Sequence, residues 1–97
     1  MGFMIRASLK NFHYLERIVR GYSNHRRIEI LDLLEKHPEL SLAGISDALH
    51  IHFKTASEHI RRLAITGLVI KRSDGHNVRH KLTDRGLFVL KFLRTLE

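Results

Sequence analysis

The chain has 97 residues, a length that fits one domain, and 43% of them are hydrophobic, which supplies an ordinary core. It contains no cysteine, which excludes disulfides, thiolate metal sites and cysteine nucleophiles. No segment approaches the roughly 20 apolar residues of a membrane-spanning helix, and the start lacks the core of a signal peptide, so we expect a cytoplasmic protein without membrane contact.

The basic residues are concentrated in one third of the chain. Lysine and arginine outnumber aspartate and glutamate by 17 to 10, which gives a net charge of +7. Residues 51–81 contain seven basic and two acidic residues and therefore carry five of the seven net charges. Such a local excess is typical of a surface that binds a polyanion.

Two helices are predicted before residue 40. Residues 8–20 carry apolar side chains at helical spacing, and Gly21 is expected to end this helix. The apolar stripe either packs in the core or contacts a second subunit. Its members are Leu9, Phe12, Leu15, Ile18, Val19 and Tyr22. A second helix is predicted from residues 23–24, which are good N-caps, to about Lys36. Residues 24–27 at its start either contact a phosphate backbone or are simply solvated.

Residues 43–65 have the pattern of two helices joined by a tight turn. The first helix covers about residues 43–49, with Ile45, Ala48 and Leu49 expected to face inward. His50 stands where the chain must turn sharply, a position that suits left-handed geometry, and His52 is expected to cap the next helix. That helix covers about residues 53–65 and buries Ala56, Ile60 and Leu63 at spacings of four and three. Its opposite side is polar and basic, so it is free to enter a groove.

The segment after residue 65 predicts a hairpin and a last helix. Gly67 is expected to end the preceding helix in a left-handed cap, and residues 68–72 and 77–82 have the pattern of two strands around a turn at 73–76. Thr83 and Asp84 then begin a helix with more apolar surface than one buried face needs, which indicates a partner helix from a second copy. The apolar residues are Leu87, Val89, Leu90, Phe92, Leu93 and Leu96.

The order of four helices, a two-stranded wing and a helix resembles the winged helix-turn-helix transcription regulators, especially the ArsR- and MarR-like groups. The resemblance covers about residues 24–86 and rests on residues 45–49, 57–63, 67–69 and 82–86. It implies a mainly α fold with a small two-stranded β-wing, in the order α-α-α-α-β-β-α. We expect residues 1–97 to form a single winged-helix domain in which residues 1–22 and 84–97 are flanking, dimerising helices.

The resemblance also implies a homodimer that binds double-stranded DNA in a sequence-specific way. The recognition helix at about 53–65 would lie in the major groove, and the wing at about 68–82 would lie on the backbone or in the minor groove. Hydroxyl, carboxylate and guanidinium groups on the helix can meet base edges or phosphates, whereas the wing cations can neutralise phosphates. The candidate DNA-binding residues are Lys54, Thr55, Ser57, Glu58, Arg61, Arg62, Lys71, Arg72, His76, Arg79 and Lys81.

Two positions depart from the pattern of similar proteins. Glu58 stands where a basic or neutral polar residue is more usual, so it either accepts a hydrogen bond from cytosine or pairs with Arg61 or Arg62 on the next turn. His80 stands where the wing of similar proteins usually has an aromatic residue, often tyrosine.

The chain contains eight histidines, which raises the question of a metal site. His50 and His52 lack an obvious third ligand, and His59 is expected at the edge of the core, so we expect no metal and no cofactor. Protonation of several histidines below about pH 6.5 is a milder hypothesis, since it would strengthen binding to an anion.

No catalytic motif is present, and we expect no enzyme. The alternative to DNA binding is a winged-helix module that binds another protein without specific DNA binding.

Overall fold

Residues 9–97 are the part of the chain that the computed structural model describes, and they form five helices and three strands. The helices are α1 (Phe12–Tyr22), α2 (His25–Lys36), α3 (Leu42–Leu49), α4 (Phe53–Ile65) and α5 (Asp84–Arg94). The strands are β1 (Leu40–Ser41), β2 (Val69–Asp74) and β3 (Asn77–Leu82). Within residues 9–97, no helix is long and apolar enough to cross a membrane.

Polar side chains fix where the helices begin. Asn11 Oδ1 accepts the Tyr14 N–H at 2.9 Å, so α1 begins at Phe12 rather than at residue 8, which lies outside the described residues. Asn24 caps α2 as predicted, and its side chain accepts from the Arg26 and Arg27 N–H groups. Thr83 caps α5 as predicted by accepting the Gly86 N–H at 3.0 Å.

The prediction that Gly21 ends α1 is wrong. Gly21 is buried in the last turn of the helix, which continues to Tyr22. A Cβ at this position would lie 2.3 Å from Thr66 Oγ1, so the glycine permits a close approach of α1 to the end of α4. The reason for this glycine is therefore a tertiary contact rather than a helix cap.

The core lies between α2, α3, α4, the base of the hairpin and α5. Its buried members are Ile30, Leu31, Leu34, Ile45, Ile60, Leu63, Leu68, Val69, Val89 and Leu90. In α3, Ile45 is buried as predicted, but Ala48 is exposed and Ser46 is buried in its place. The Ser46 hydroxyl donates to the Ile51 carbonyl at 2.6 Å, which satisfies this buried polar group and holds the turn. His50 has the expected left-handed geometry, with φ 54° and ψ 44°.

The strands form one antiparallel sheet in the order β1-β3-β2. The wing itself is the predicted two-stranded hairpin, but the sheet has three strands because β1 pairs with β3 at His80 and Arg79. Asp74 pairs with Asn77, so the turn consists of Gly75 and His76 alone and is shorter than the predicted turn at 73–76. Gly75 has φ 63°, the left-handed value that glycine accommodates in a tight hairpin.

The carboxyl end of α4 passes directly into the sheet. Gly67 has φ 76°, and the next N–H, that of Leu68, donates to the Leu63 carbonyl at 2.9 Å, which is the predicted cap. On the other side, a Cβ at Gly86 would lie 2.1 Å from the Leu68 carbonyl oxygen. The sheet and α5 therefore pack backbone to backbone at the exit of α4.

Candidate nucleic-acid interface

Helix α4 presents one buried and one exposed face, as predicted. Ala56, Ile60 and Leu63 are fully buried against the core and fix the helix in place. His52 caps its first turn, with Nδ1 accepting the Lys54 N–H at 3.2 Å. The six candidate residues on α4 all lie on the exposed side: Lys54, Thr55, Ser57, Glu58, Arg61 and Arg62. A rigid helix with an unobstructed polar face is what insertion into a groove requires.

Glu58 pairs with both arginines that follow it on the helix. Arg61 donates to the two carboxylate oxygens at 3.0 and 2.7 Å, and Arg62 Nε donates at 3.3 Å. The hydrogen bonds and the charge of Arg61, followed by the hydrogen bond and the charge of Arg62, lower the pKa of Glu58 to about 2. The carboxylate is therefore ionised at neutral pH, and three charged side chains contribute one net positive charge to this part of the face.

Three of the four wing cations, Arg72, Arg79 and Lys81, lie on one face of the hairpin, and Lys71 lies on the other. Arg72 pairs with Arg79 across the hairpin, and Ile70 pairs with Lys81, so these residues share a face. Lys71 lies opposite the buried His80 and therefore projects from the other face. His76 lies exposed in the turn at the tip.

Glu39, which the sequence did not identify as part of the site, accepts hydrogen bonds from both arginines of the wing. Glu39 Oε1 accepts from Arg72 Nη1 at 2.6 Å, and the Glu39 carbonyl accepts from Arg79 Nη1 at 3.2 Å. Arg79 also pairs with Asp74 at 3.3 Å. Glu39 lies 33 residues before Arg72, so no spacing rule could have joined them. Its backbone is left-handed, with φ 70°, and its N–H donates to the His80 carbonyl, which sets it at the base of the wing.

Besides His52, the histidines His80 and His59 also have structural contacts. His80 is only 2% exposed, and its Nδ1 lies 2.9 Å from the Leu40 carbonyl, so it joins β3 to β1. His59 lies at the edge of the core as predicted, with Nδ1 3.3 Å from Arg27 Nη1. Burial, followed by the Arg27 charge, lowers the pKa of His59. Among residues 9–97, no three metal-ligating side chains converge on one point.

The two arginines at the start of α2, Arg26 and Arg27, contact other residues of the protein. Arg26 pairs with Glu29 at 3.0 Å, and Arg27 Nη2 donates to the Arg20 carbonyl at 3.3 Å. Burial, followed by the charge of Arg62, lowers the pKa of Arg27. Arg27 therefore has a place in the packing of α1, α2 and α4, beyond the solvated or phosphate-contacting roles expected for residues 24–27.

Comparison with known proteins places this fold in a family. Residues 24–81, more than half of the chain, match the sequence profile of the MarR family. The chain belongs to the MarR family. The match covers α2 to α4 and nearly all of the hairpin, whereas α1 and α5 lie outside it. No curated protein sequence matches the chain significantly.

Solved structures similar to this MarR-family chain are winged-helix regulators. HlyU from Vibrio cholerae is 27% identical with a TM-score of 0.77, and the match covers 90% of this chain and 95% of HlyU. The transcriptional regulator HlyU from Vibrio vulnificus is 26% identical with a TM-score of 0.70, over 84% and 85% of the two chains. A homodimeric winged helix-turn-helix DNA-binding domain from Mycobacterium bovis shares the fold, with a TM-score of 0.79 at 23% identity over 94% and 89%.

Proposed function

We propose that this MarR-family protein is a transcription regulator that binds double-stranded DNA in a sequence-specific way. Helix α4 lies in the major groove, and the β2–β3 wing contacts the backbone or the minor groove of the same site. The observation that carries the proposal is the exposed face of α4, where every candidate side chain is solvent-accessible while the opposite face is locked into the core. The membership of the family supports the same conclusion.

The side chains divide into two kinds by their chemistry. Thr55, Ser57 and Glu58 have hydroxyl or carboxylate groups that can hydrogen-bond to base edges, so they carry sequence discrimination. The cations of α4 and of the wing contact phosphates, which supplies affinity and salt dependence. These cations are Lys54, Arg61, Arg62, Lys71, Arg72, Arg79 and Lys81, with His76 at the tip of the wing.

The active form is a homodimer that pairs through its flanking helices. Helix α5 and the segment following it leave Phe88 74% exposed and Leu96 67% exposed, and α1 leaves Phe12 61% exposed. Large apolar side chains that are this exposed indicate a contact surface, and the same surface of a second copy would bury them. Such a contact between identical surfaces has two-fold symmetry. Two α4 helices related in this way read a palindromic site.

A protein-binding role for the same surface is the alternative. Glu58 neutralises part of the charge of Arg61 and Arg62, and Phe53 and Ile65 on the exposed side of α4 are apolar. A mixed face of this kind also fits a protein partner.

Selection of bound duplexes from a random pool, combined with the mass of the protein in solution, tests the proposal. A two-fold symmetric consensus and a dimeric mass are the expected results. Arg61→Ala and Lys71→Ala should each weaken binding, and Lys36→Ala, which removes a cation that pairs with Asp32 on α2, serves as the control. Undetectable affinity for any duplex at low salt would overturn the DNA-binding role and leave the protein-binding alternative.

A further inference from the structure

A groove of about 300 Å³ lies between α1 and the carboxyl end of α4. Arg17 and Arg20 line it from α1, and Arg61 and Arg62 line it from α4. The groove thus joins the exposed face of α4 to a helix outside the residues that match the family profile. None of the residue patterns in the sequence brings these four arginines together.

The packing of Gly21 on Thr66 creates the groove. Because Gly21 has no side chain, α1 approaches the end of α4 closely enough for Thr66 to fill the space. The Thr66 hydroxyl donates to the Arg62 carbonyl at 3.0 Å, so it is fixed to the last turn of α4. The two pairs of arginines are therefore held on opposite sides of one cleft by two helices in direct contact.

The cations of the groove exceed the carboxylates that pair with them. Arg61 and Arg62 share Glu58, and Arg20 pairs with Glu16 at 3.0 Å. Among residues 9–97, no carboxylate lies within salt-bridge distance of Arg17, and residues 1–8 contain neither aspartate nor glutamate. The four guanidinium groups of the groove therefore have two carboxylate partners, Glu16 and Glu58, so the groove carries a net positive charge.

A fifth guanidinium group, that of Arg27, lies beside the groove and contacts α1. Arg27 Nη2 contacts the Arg20 carbonyl, and burial, followed by the charge of Arg62, lowers the pKa of Arg27. The side chain Nε of Arg27 is buried without a hydrogen-bond partner among residues 9–97. An anion in the groove would relieve the repulsion between these arginines.

We propose that the groove binds a phosphate group, held by the guanidinium groups of Arg17 and Arg20 on one side and of Arg61 and Arg62 on the other. Guanidinium forks match phosphate oxygens in geometry and bind them with paired hydrogen bonds. Because the groove continues the exposed face of α4, the expected source is a backbone phosphate beside the major groove, and this part rests on the proposed function. A free phosphate group is the other source of the same chemistry.

The salt dependence of DNA binding tests the first source. Arg17→Gln with Arg20→Gln removes two exposed charges of α1 and none of the proposed contacts of α4 or the wing. We expect the slope of log K against log salt to fall, in each subunit, by about one unit for every phosphate that the variant no longer neutralises. Lys36→Gln with Lys91→Gln removes the same charge near the Asp32–Glu35–Arg94 cluster of α2 and α5 and should leave the slope unchanged.

Titration with inorganic phosphate at constant ionic strength tests the second source and does not depend on DNA. Saturable shifts of the Gly21 and Thr66 amide signals in the unmodified protein, absent in the Arg17→Gln, Arg20→Gln variant, support a phosphate site. A reduced slope identifies the backbone phosphate as the source, whereas phosphate binding with an unchanged slope identifies free phosphate. An unchanged slope together with no saturable shift would overturn the proposal. If no duplex binds at all, the proposed function fails while the titration still decides the groove.

Discussion

Glu58 reduces the positive charge of the exposed face of α4 by pairing with two arginines. It holds two guanidinium groups in contact with its own carboxylate, at distances between 2.7 and 3.3 Å. A phosphate that approaches these arginines must displace the carboxylate or share them with it. In the proposed complex, Glu58 should therefore lower the affinity for random DNA, which would favour discrimination between sequences over strong general binding.

Glu58→Gln should raise the affinity for random-sequence duplex by about three- to tenfold at low salt, because it removes one negative charge and releases two cations. The gain should be the same from pH 5 to 8, since the pKa of Glu58 is lowered to about 2 and the carboxylate stays ionised over that range. Fluorescence anisotropy with a labelled duplex measures it. Glu35→Gln, whose partner is Arg94 on α5, is the matched control.

The selected operator gives a second test of the same variant. If Glu58 accepts a hydrogen bond from cytosine, Glu58→Gln should lose affinity for that operator while it gains affinity for random duplex. Unchanged affinity for both duplexes would contradict the role assigned to Glu58.

His59 should make the stability of the fold depend on pH. Its pKa is lowered in the folded protein by burial and by Arg27, so between that pKa and the ordinary value near 6.5 the unfolded chain binds more protons. The free energy of unfolding should therefore decrease as pH falls below about 6.5 and level off below the folded pKa. Urea denaturation between pH 5 and 7.5 measures this.

A conservative variant isolates the contribution of His59. His59→Gln should flatten the pH dependence below 6.5. Equal slopes in the unmodified protein and the variant would show that His59 does not titrate as expected. The lowered pKa also means that His59 gains its charge at a lower pH than an ordinary histidine.

At the scale of elements, the carboxyl end of α4 is contacted from two sides. Helix α1 contacts it through Gly21 and Thr66, and from α5 Arg85 Nη1 donates to the Thr66 carbonyl at 2.9 Å. The same guanidinium reaches the Tyr14 hydroxyl of α1 at 2.7 Å. The two helices proposed to form the dimer therefore both contact the carboxyl end of α4, so in that dimer the subunit contact would affect the orientation of α4.

Gly21→Ala tests this packing because two effects oppose each other. Alanine is better than glycine in a helix by up to about 1 kcal/mol, but its Cβ would lie under 3 Å from three atoms of Thr66. We expect the steric effect to prevail and the free energy of unfolding to fall by about 1–3 kcal/mol. In a double-mutant cycle by urea denaturation, Thr66→Ala should reduce the cost of Gly21→Ala. A stabilised Gly21→Ala protein would show that α1 can move away from α4.

At the scale of the whole molecule, the proposed dimer depends on the exposed apolar side chains of the flanking helices, which would bring two α4 helices together. Phe88→Glu with Phe92→Glu should convert a dimer to a monomer, because both side chains are exposed in the single chain and their charges would repel across a symmetric contact. Sedimentation equilibrium gives the mass, and an unchanged far-ultraviolet circular dichroism spectrum shows that the fold is intact. Affinity for a palindromic duplex should fall by a factor of about 10² or more as avidity is lost.

Lys91→Glu is the control for this change, since it reverses the charge of an exposed residue on the same helix. It should retain the dimeric mass and most of the affinity. A double glutamate variant that remains dimeric would exclude the α5 face as the subunit contact.

The sequence by itself determined the features that depend on neighbours a few residues away. The bounds of α4, the caps at Asn24, His52 and Thr83, and the left-handed residues His50 and Gly67 all follow from local hydrogen bonds and the helical period.

Only the tertiary structure decided the features that join distant parts of the chain. Strand β1 is two residues long and has no period to recognise, Glu39 meets Arg72 from 33 residues away, and Gly21 serves a contact with Thr66 rather than a helix end. The groove that gathers Arg17 and Arg20 with Arg61 and Arg62 is of the same kind. Local rules fix the backbone over one or two turns, whereas the long-range contacts depend on how the whole core packs.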